Sequence, residues 1–258
     1  MATPLTADQI LKALRAEGLT VHEVKSWRTH NRAGHGAWGP LNGVMLHHTA
    51  GNSGMVDYCY NGSADLPGPL CHGVIDKKGE VWLVGSGRAN HAGGGDPKVL
   101  EAVIAEDYGD KPPAPHQHQG SAGAVDGNAR FYGFECINLG DGKDPWPDAQ
   151  VQAMVRAGAA LCRAHKWGAK SVIGHKEWSD WKSDPAGASV AMPTLRGYIK
   201  AALAAKPGVW TLKPKAPAPT PTAPKPTPTL TTEQRIAALE KTVTDQGKRI
   251  AALEKKGS

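Results

Sequence analysis

The sequence predicts an α/β fold in which a mixed central β-sheet is flanked by helices. Apolar runs of strand length occur in four places, around residues 43–48, 71–84, 131–138 and 171–173. Apolar residues at helical spacing occur in three others, within residues 10–14, 151–162 and 195–203. Because the two patterns alternate along the chain, helices are expected to pack against a shared sheet. The 258 residues, 40% of them hydrophobic, suffice for one sizeable domain with an appendage.

The first element is a helix at residues 6–17. Thr6 and Gln9 have the spacing of a capping box, and Gly18 is suited to end the helix. The stripe between them consists of Ile10, Leu11 and Leu14. We interpret this helix as a packing element of the domain.

The first long strand ends in two histidines. Residues 43–46 are apolar and lead directly to His47 and His48, after which a turn follows. Because adjacent residues on a strand point to opposite faces, at most one of these histidines can belong to a given site. Either a hydrogen-bonded structural residue or a ligand fits this position.

A hairpin and a long insertion follow. Within residues 71–84, two apolar runs are joined through Asp-Lys-Lys-Gly, which is a hairpin signal. His72 at its start either lines a cleft or packs beneath it. Residues 96–129 are rich in Gly, Pro and polar residues and are interpreted as a loop, functional or disordered. Its two histidines, His116 and His118, are interpreted as solvated.

One carboxylate lies within a predicted central strand. Residues 131–138 are aromatic and apolar apart from Glu135 and Asn138. Burying a carboxylate there is costly unless it is paired or bound to something. Glu135 is therefore either one partner of a buried salt bridge or a functional group.

The loop at residues 174–185 concentrates the groups that can do chemistry. It follows a predicted strand, ends at an Asp-Pro pair, and carries His175, Lys182 and Asp184. A histidine and a carboxylate on one constrained loop can converge on a metal ion, but two ligands alone do not hold zinc. The best donor of a third ligand is His47.

The chain after residue 206 has a different composition. We predict a Pro/Thr/Ala/Lys linker at residues 207–230, because such a segment cannot bury a core. A fourteen-residue repeat then predicts a coiled-coil helix at residues 231–256, with β-branched a positions and mostly leucine d positions. That pattern favours a parallel homodimer; a single helix that folds on another partner is the alternative.

Charge and cysteine content limit the possible functions. The net charge is +6, and the chain from Pro207 onward, with nine basic and four acidic residues, supplies +5 of it. This basic tail is not accompanied by a recognised DNA- or RNA-binding motif. Its charge therefore favours attraction to an anionic cell envelope over a nucleic-acid partner. The sequence contains no run of about 18 apolar residues, so it does not predict membrane insertion. The four cysteines are expected to be free buried thiols, although a Cys59–Cys71 bridge stays open.

Three motifs in a fixed order carry a family resemblance. A strand ends in His47-His48-Thr49-Ala50-Gly51, a later strand reads Tyr132-Gly133-Phe134-Glu135, and a Gly174-His175 loop closes on Lys182-Ser183-Asp184-Pro185. Together they resemble the type-2 N-acetylmuramoyl-L-alanine amidases, which include many phage endolysins and are related to T7-lysozyme-type amidases and peptidoglycan recognition proteins. The similarity spans roughly residues 27–204. None of the three motifs is specific alone.

The resemblance implies a zinc-dependent amidase whose domain occupies residues 1–206. His47, His175 and Asp184 would hold Zn²⁺ with a fourth position open to water. Glu135 would act as general base and Lys182 would stabilise the oxyanion. The implied substrate is bacterial peptidoglycan, cleaved between the lactyl group of N-acetylmuramic acid and L-alanine.

Other matching positions either extend this expectation or depart from it. His72 and His91, the latter within a His-Ala-Gly motif, are expected to contact substrate. Cys71 stands where some relatives have an active-site tyrosine, so no tyrosine role is transferred. Asp184 stands where many relatives have cysteine, which places this chain in an aspartate-ligand branch.

Three functional hypotheses remain at this point. The first is a peptidoglycan hydrolase, the second a non-catalytic peptidoglycan-binding protein, and the third an adaptor centred on the coiled coil. The start of the sequence lacks a secretory signal, which predicts accumulation in the cytoplasm. That favours a phage endolysin, held in the host cytoplasm until lysis and then acting on the cell wall, over a bacterial autolysin.

Overall fold

The computed structural model describes residues 2–212 and Thr232. The predicted coiled coil, apart from Thr232, and the predicted linker from residue 213 onward lie outside the described residues. Residues 2–212 contain eight strands, β1 (Val21–Glu23), β2 (Gly43–His48), β3 (Gly73–Ile75), β4 (Val81–Leu83), β5 (Gly94–Gly95), β6 (Val125–Asp126), β7 (Phe131–Cys136) and β8 (Val172–Gly174). The same residues contain six α-helices, α1 (Ala7–Ala16), α2 (Met55–Asn61), α3 (Pro97–Ala105), α4 (Asp148–His165), α5 (His175–Trp178) and α6 (Met192–Ala204).

Six of the strands form one mixed sheet in the order β1-β4-β3-β7-β2-β8. Among the described strands of this sheet, only β3 and β4 pair antiparallel, and they form the predicted hairpin. Strands β5 and β6 form a separate antiparallel pair. Strands β7, β2 and β8 are parallel neighbours, so their carboxyl ends meet at one edge of the sheet. The predicted mixed sheet flanked by helices is confirmed.

The two faces of the sheet bury different side chains. Val44, Leu46 and Phe134 pack into the large core beneath α1, α4 and α6. On the opposite face, Met45, Phe131 and Ile173 pack against α3 and Trp178 of α5. Side chains alternate along a strand, so His47 and Glu135 point to the same face as Met45 and Phe131. Strand periodicity thus directs both polar groups toward one side.

The N-terminal helix forms as the sequence predicts. Thr6 accepts a hydrogen bond from the backbone of Gln9, and the Gln9 side chain accepts one from the backbone of Thr6, so both halves of the capping box are present. Ile10, Leu11 and Leu14 are buried. The domain also includes residues assigned to the linker, because Arg156 donates hydrogen bonds to the carbonyls of Gly208 and Trp210.

Residues 96–129 differ from the expected loop, because they contain α3, β6 and a 3₁₀ turn at Gly127–Ala129. Asp96 accepts a hydrogen bond from the backbone of Lys98 and caps α3, and Pro97 occupies its first turn. Val99 and Val103 are buried against the sheet. The Gly- and Pro-rich composition of the whole segment obscured this short helical signal.

Two further features bear on the expectations. All four cysteines are buried free thiols. Within the part of the chain that the structure describes, no helix has the length and apolar character needed to cross a membrane.

Candidate functional site

Three side chains converge at the carboxyl edge of the sheet. The Nδ1 atom of His47 lies 3.0 Å from Nδ1 of His175 and 3.0 Å from Oδ2 of Asp184. His175 Nδ1 lies 3.2 Å from the same carboxylate oxygen. All three residues are buried, and they form the group with metal-ligand geometry among the described residues. The convergence expected from sequence is present.

The sheet explains why residues so distant in sequence meet. Leu46 on β2 pairs with Gly174 on β8, which places His47 beside His175 at the start of α5. The chain then turns back, and the Lys176 amide donates a 2.8 Å hydrogen bond to the carbonyl of Asp184. This backbone contact closes the loop and holds Asp184 against the two imidazoles.

Backbone carbonyls fix the tautomers of the surrounding histidines. His175 Nε2 lies 3.1 Å from the carbonyl of Ala92 and must donate to it, which leaves Nδ1 unprotonated in the neutral ring. His91 Nε2 likewise donates to the carbonyl of Phe131 at 3.0 Å. Its Nδ1 is therefore an acceptor for His47 Nε2, which lies 3.0 Å away. This contact in turn leaves His47 Nδ1 unprotonated.

The hydrogen-bond network thus aims two imidazole lone pairs and one carboxylate oxygen at a common point. Burial and the neighbouring His175 lower the pKa of His47 to about 4, so its ring is neutral at pH 7. Acceptors about 3 Å apart repel one another unless a cation lies between them. The arrangement is therefore suited to hold a cation.

Glu135 lies beside this group because β7 pairs with β2. His47 and Glu135 are register partners, and Glu135 Oε1 is 4.0 Å from His47 Nδ1. Its Oε2 atom is buried without a hydrogen-bond partner. Burial, with added repulsion from Cys59 and Asp184, raises the pKa of Glu135 well above its ordinary value. A carboxylate in this state is prepared to accept a proton.

The site opens into a cleft of ≈ 1010 Å³. His47, Glu135, His175 and Asp184 lie among its lining residues, and the exposed side chain of Lys182 lies at its edge. Lys182 is close enough to lower the pKa of both His47 and Glu135. A substrate entering this cleft would meet both the buried group and an exposed cationic side chain.

A family model matches residues 37–187, which is more than half of the chain; its description is N-acetylmuramoyl-L-alanine amidase. The chain belongs to this amidase family. The matched segment of the amidase contains the triad, Glu135 and Lys182, while α1 and α6 lie outside it. None of the curated proteins matches the chain.

Several solved structures are similar to this amidase at low identity. The endolysin amidase LysCS from Clostridium intestinale is 15% identical over 69% of this chain and 93% of its own, with a TM-score of 0.44. A selenomethionine derivative of AmpD is 17% identical over 69% of this chain and 93% of its own, with a TM-score of 0.45. The Drosophila peptidoglycan recognition protein SA is 18% identical over 66% of this chain and 97% of its own, with a TM-score of 0.36. Because each TM-score is below 0.5, the family assignment rests on the family model alone.

The other histidines of the amidase take distinct positions. His72 is buried beneath the cleft floor, where it contacts the Gly87 carbonyl and accepts a hydrogen bond from the Gly133 amide. His72 lies outside the cleft lining. Of the two alternatives for this residue, lining the cleft or packing beneath it, its position agrees with packing, and a contact with substrate stays a prediction. His91 does line the cleft but is 9% exposed and contacts His47. His48 points away from the triad and accepts a hydrogen bond from the Ala186 amide.

Sequence reasoning missed two contributions to the cleft. The orienting contact of His91 depends on which ring nitrogen faces a carbonyl, and no sequence pattern records that. His118, interpreted as solvated, stacks on Trp181 at the cleft edge. In the sequence, the signal for this contact is limited to a tryptophan next to Lys182.

Proposed function

We propose that this amidase hydrolyses peptidoglycan at the amide bond between the lactyl group of N-acetylmuramic acid and L-alanine. The observation that carries the proposal is the convergence of His47, His175 and Asp184 beside an unpaired Glu135, in a cleft open to water. Membership of the N-acetylmuramoyl-L-alanine amidase family supports the choice of bond.

The donor set fits Zn²⁺. Two neutral imidazoles and one carboxylate are common zinc ligands, and three protein ligands are typical of a catalytic site. Ligands about 2.0–2.1 Å from a tetrahedral ion are roughly 3.3 Å apart, close to the 3.0–3.2 Å separations here. When bound, Zn²⁺ supplies Lewis acidity and makes water a stronger nucleophile at neutral pH. His47, His175 and Asp184 are the residues proposed to hold it.

Glu135 is the proposed general base. Its carboxylate accepts one proton from the attacking water as the new C–O bond forms at the amide carbon. When the C–N bond breaks, the same carboxyl group returns that proton to the amine of L-alanine. The raised pKa of Glu135 and its unpaired Oε2 atom support this role. The products are the free amine of the stem peptide and a lactyl carboxylic acid, which loses its remaining proton to water at neutral pH.

Lys182 is the proposed stabiliser of the oxyanion. Negative charge develops on the carbonyl oxygen as water adds, and an ammonium group nearby lowers the energy of that state. The Lys182 side chain is exposed at the cleft edge and makes no hydrogen bond to another residue of the described chain. It is therefore available to a bound substrate.

The phage endolysin role stays a prediction of the sequence. It is tested by producing the protein inside bacteria together with a pore-forming protein and measuring lysis. Lysis that needs the pore supports an endolysin held in the host cytoplasm.

The proposed reaction is tested on purified peptidoglycan. New N-terminal alanine is measured after digestion by wild type, Asp184→Ala and Glu135→Gln, with zinc content measured in each protein. We expect both variants to be nearly inactive, with only Asp184→Ala losing zinc. Asp107→Ala and Glu101→Gln, at exposed positions, serve as matched controls. A wild-type protein that holds zinc and binds peptidoglycan without exposing new N-terminal alanine would replace this proposal with the non-catalytic binding function.

A further inference from the structure

One exposed aromatic side chain in the cleft has no part in the proposed reaction. Trp181 is 68% exposed, the highest value for a large apolar side chain among residues 2–212. It nevertheless has a fixed position, because one face of its indole stacks on His118 with ring centroids 3.5 Å apart and an interplanar angle of 13°. The opposite face is free, and Trp181 lines the cleft that contains the triad.

The His118 ring behind the indole is itself held in place. His118 Nδ1 lies 2.8 Å from Oδ1 of Asp180, the residue before Trp181. The Asp180 amide donates a hydrogen bond to the carbonyl of Gln117. These contacts join the loop carrying Trp181 to the insertion carrying His118, so each loop supports the other.

The insertion is anchored to the body of the domain. Buried Asp96 accepts a hydrogen bond from the His116 amide, and the Gln119 side chain accepts one from the Gly94 amide. The His118 amide also bonds to the Ser121 hydroxyl. The stacked pair therefore forms a flat wall of the cleft that is already ordered. A ligand that binds to it costs little further side-chain conformational entropy.

The chemistry of this wall suits a sugar ring. One face of a pyranose presents C–H bonds that pack on an aromatic face, while its hydroxyl groups need polar neighbours, and Gln119 and Ser121 line the same cleft. The stem peptide offers mainly small or charged side chains, which gain little from a flat indole. Trp181 lines the same cleft as Lys182 and the triad, so a ring on the indole would occupy the cleft that contains the proposed reaction centre.

We propose that Trp181, supported by His118, is a binding subsite for a pyranose ring of the peptidoglycan glycan strand. The inference rests on the proposed function in taking peptidoglycan as the substrate. Stacking stabilises the bound substrate and the transition state by the same free energy. Its loss therefore raises KM and leaves kcat unchanged. For Trp181→Ala we expect a rise in KM of roughly tenfold, as for loss of one aromatic anchor at a binding surface.

The test combines hydrolysis with binding of glycan strands stripped of their stem peptides. Trp181→Ala and His118→Ala are compared with Trp181→Phe, which keeps a ring, and with Ile104→Ala, an exposed apolar residue outside the cleft lining. We expect the two alanine variants at the wall to lose glycan affinity roughly tenfold. Trp181→Phe should keep most of the affinity, and Ile104→Ala all of it.

The outcomes separate this inference from the proposed function. Unchanged glycan binding and unchanged KM in a folded Trp181→Ala protein would overturn the subsite. Wild-type protein that exposes no new N-terminal alanine, while Trp181→Ala still loses glycan binding, would overturn the amidase reaction and leave the subsite standing. Thermal unfolding of each variant confirms folding, and the exposure of Trp181 predicts little change in the melting temperature.

Discussion

His47 Nε2 lies 3.0 Å from His91 Nδ1, and this contact determines which nitrogen of His47 faces the triad. The carbonyl of Phe131 fixes His91, and His91 then fixes His47. His91 is thus a positioning residue for a proposed metal ligand, although it lies in the cleft. Groups that orient ligating histidines in this way strengthen metal binding.

We predict that His91→Phe lowers zinc affinity roughly 10- to 100-fold, the usual cost of losing such a partner. Without an acceptor, His47 Nε2 has no group that selects the required tautomer. His91→Gln should bind zinc more tightly than His91→Phe, because its side-chain carbonyl can accept the same hydrogen bond. Affinity is measured by competition with a fluorescent chelator. Equal affinity of His91→Phe and wild type would refute the positioning role.

We predict that Glu135→Gln stabilises the metal-free protein while it abolishes activity. A buried carboxylate without a partner costs roughly 1–3 kcal/mol, and the wild-type residue has such an oxygen. Removing this cost raises the free energy of unfolding, and each kcal/mol corresponds to a rise in melting temperature of about 2–4 °C. Glu101→Gln, on the exposed side of α3, should leave the melting temperature unchanged.

The stability advantage of Glu135→Gln over wild type should grow as the pH rises. The pKa of Glu135 is raised in the folded state above its ordinary 4.5. Below that value the carboxyl is protonated in both states, so the two proteins should be equally stable. As pH rises from 4.5 through the raised pKa, the folded wild type resists losing its proton and becomes less stable relative to Glu135→Gln. A difference that shrinks with rising pH would contradict the burial effect.

We predict that Lys182→Met lowers kcat by roughly two to three orders of magnitude, as removal of one oxyanion donor does. The side chain is exposed, so zinc content and melting temperature should match those of wild type. Lys182→Arg keeps the positive charge and should keep part of the activity. Lys98→Met, at an exposed position outside the cleft lining, is the matched control. Loss of zinc in Lys182→Met would assign the lysine a structural role instead.

The difference between what the sequence predicted and what it missed follows from the range of the interactions. His47, Glu135, His175 and Asp184 were predicted together because strand ends and a motif-bearing loop place them by local rules and by resemblance. The relay through His91 and the stacking of His118 on Trp181 depend on side-chain orientation between distant segments. Helix α3 was missed for a different reason, since its capping Asp96 and Pro97 lay within a segment that looked like a loop.

A buried ion pair supports the backbone next to His175. Glu177 and Arg196 form a buried two-pronged ion pair, with 2.7 and 2.9 Å contacts, and Glu177 also accepts a hydrogen bond from the Gly174 amide immediately before His175. Arg196→Met should destabilise the domain by about 3–5 kcal/mol, because Glu177 is left buried without its partner.

Replacing both partners, as Glu177→Leu with Arg196→Met, should cost less than the sum of the single changes, because no charge then stays buried. The exposed pair Arg15 and Glu23 is the control, where Arg15→Met should cost no more than about 1 kcal/mol. Urea unfolding of the four proteins gives the coupling free energy. Additive costs would mean that the two charged side chains contribute independently, and that the ion pair does not hold the His175 segment.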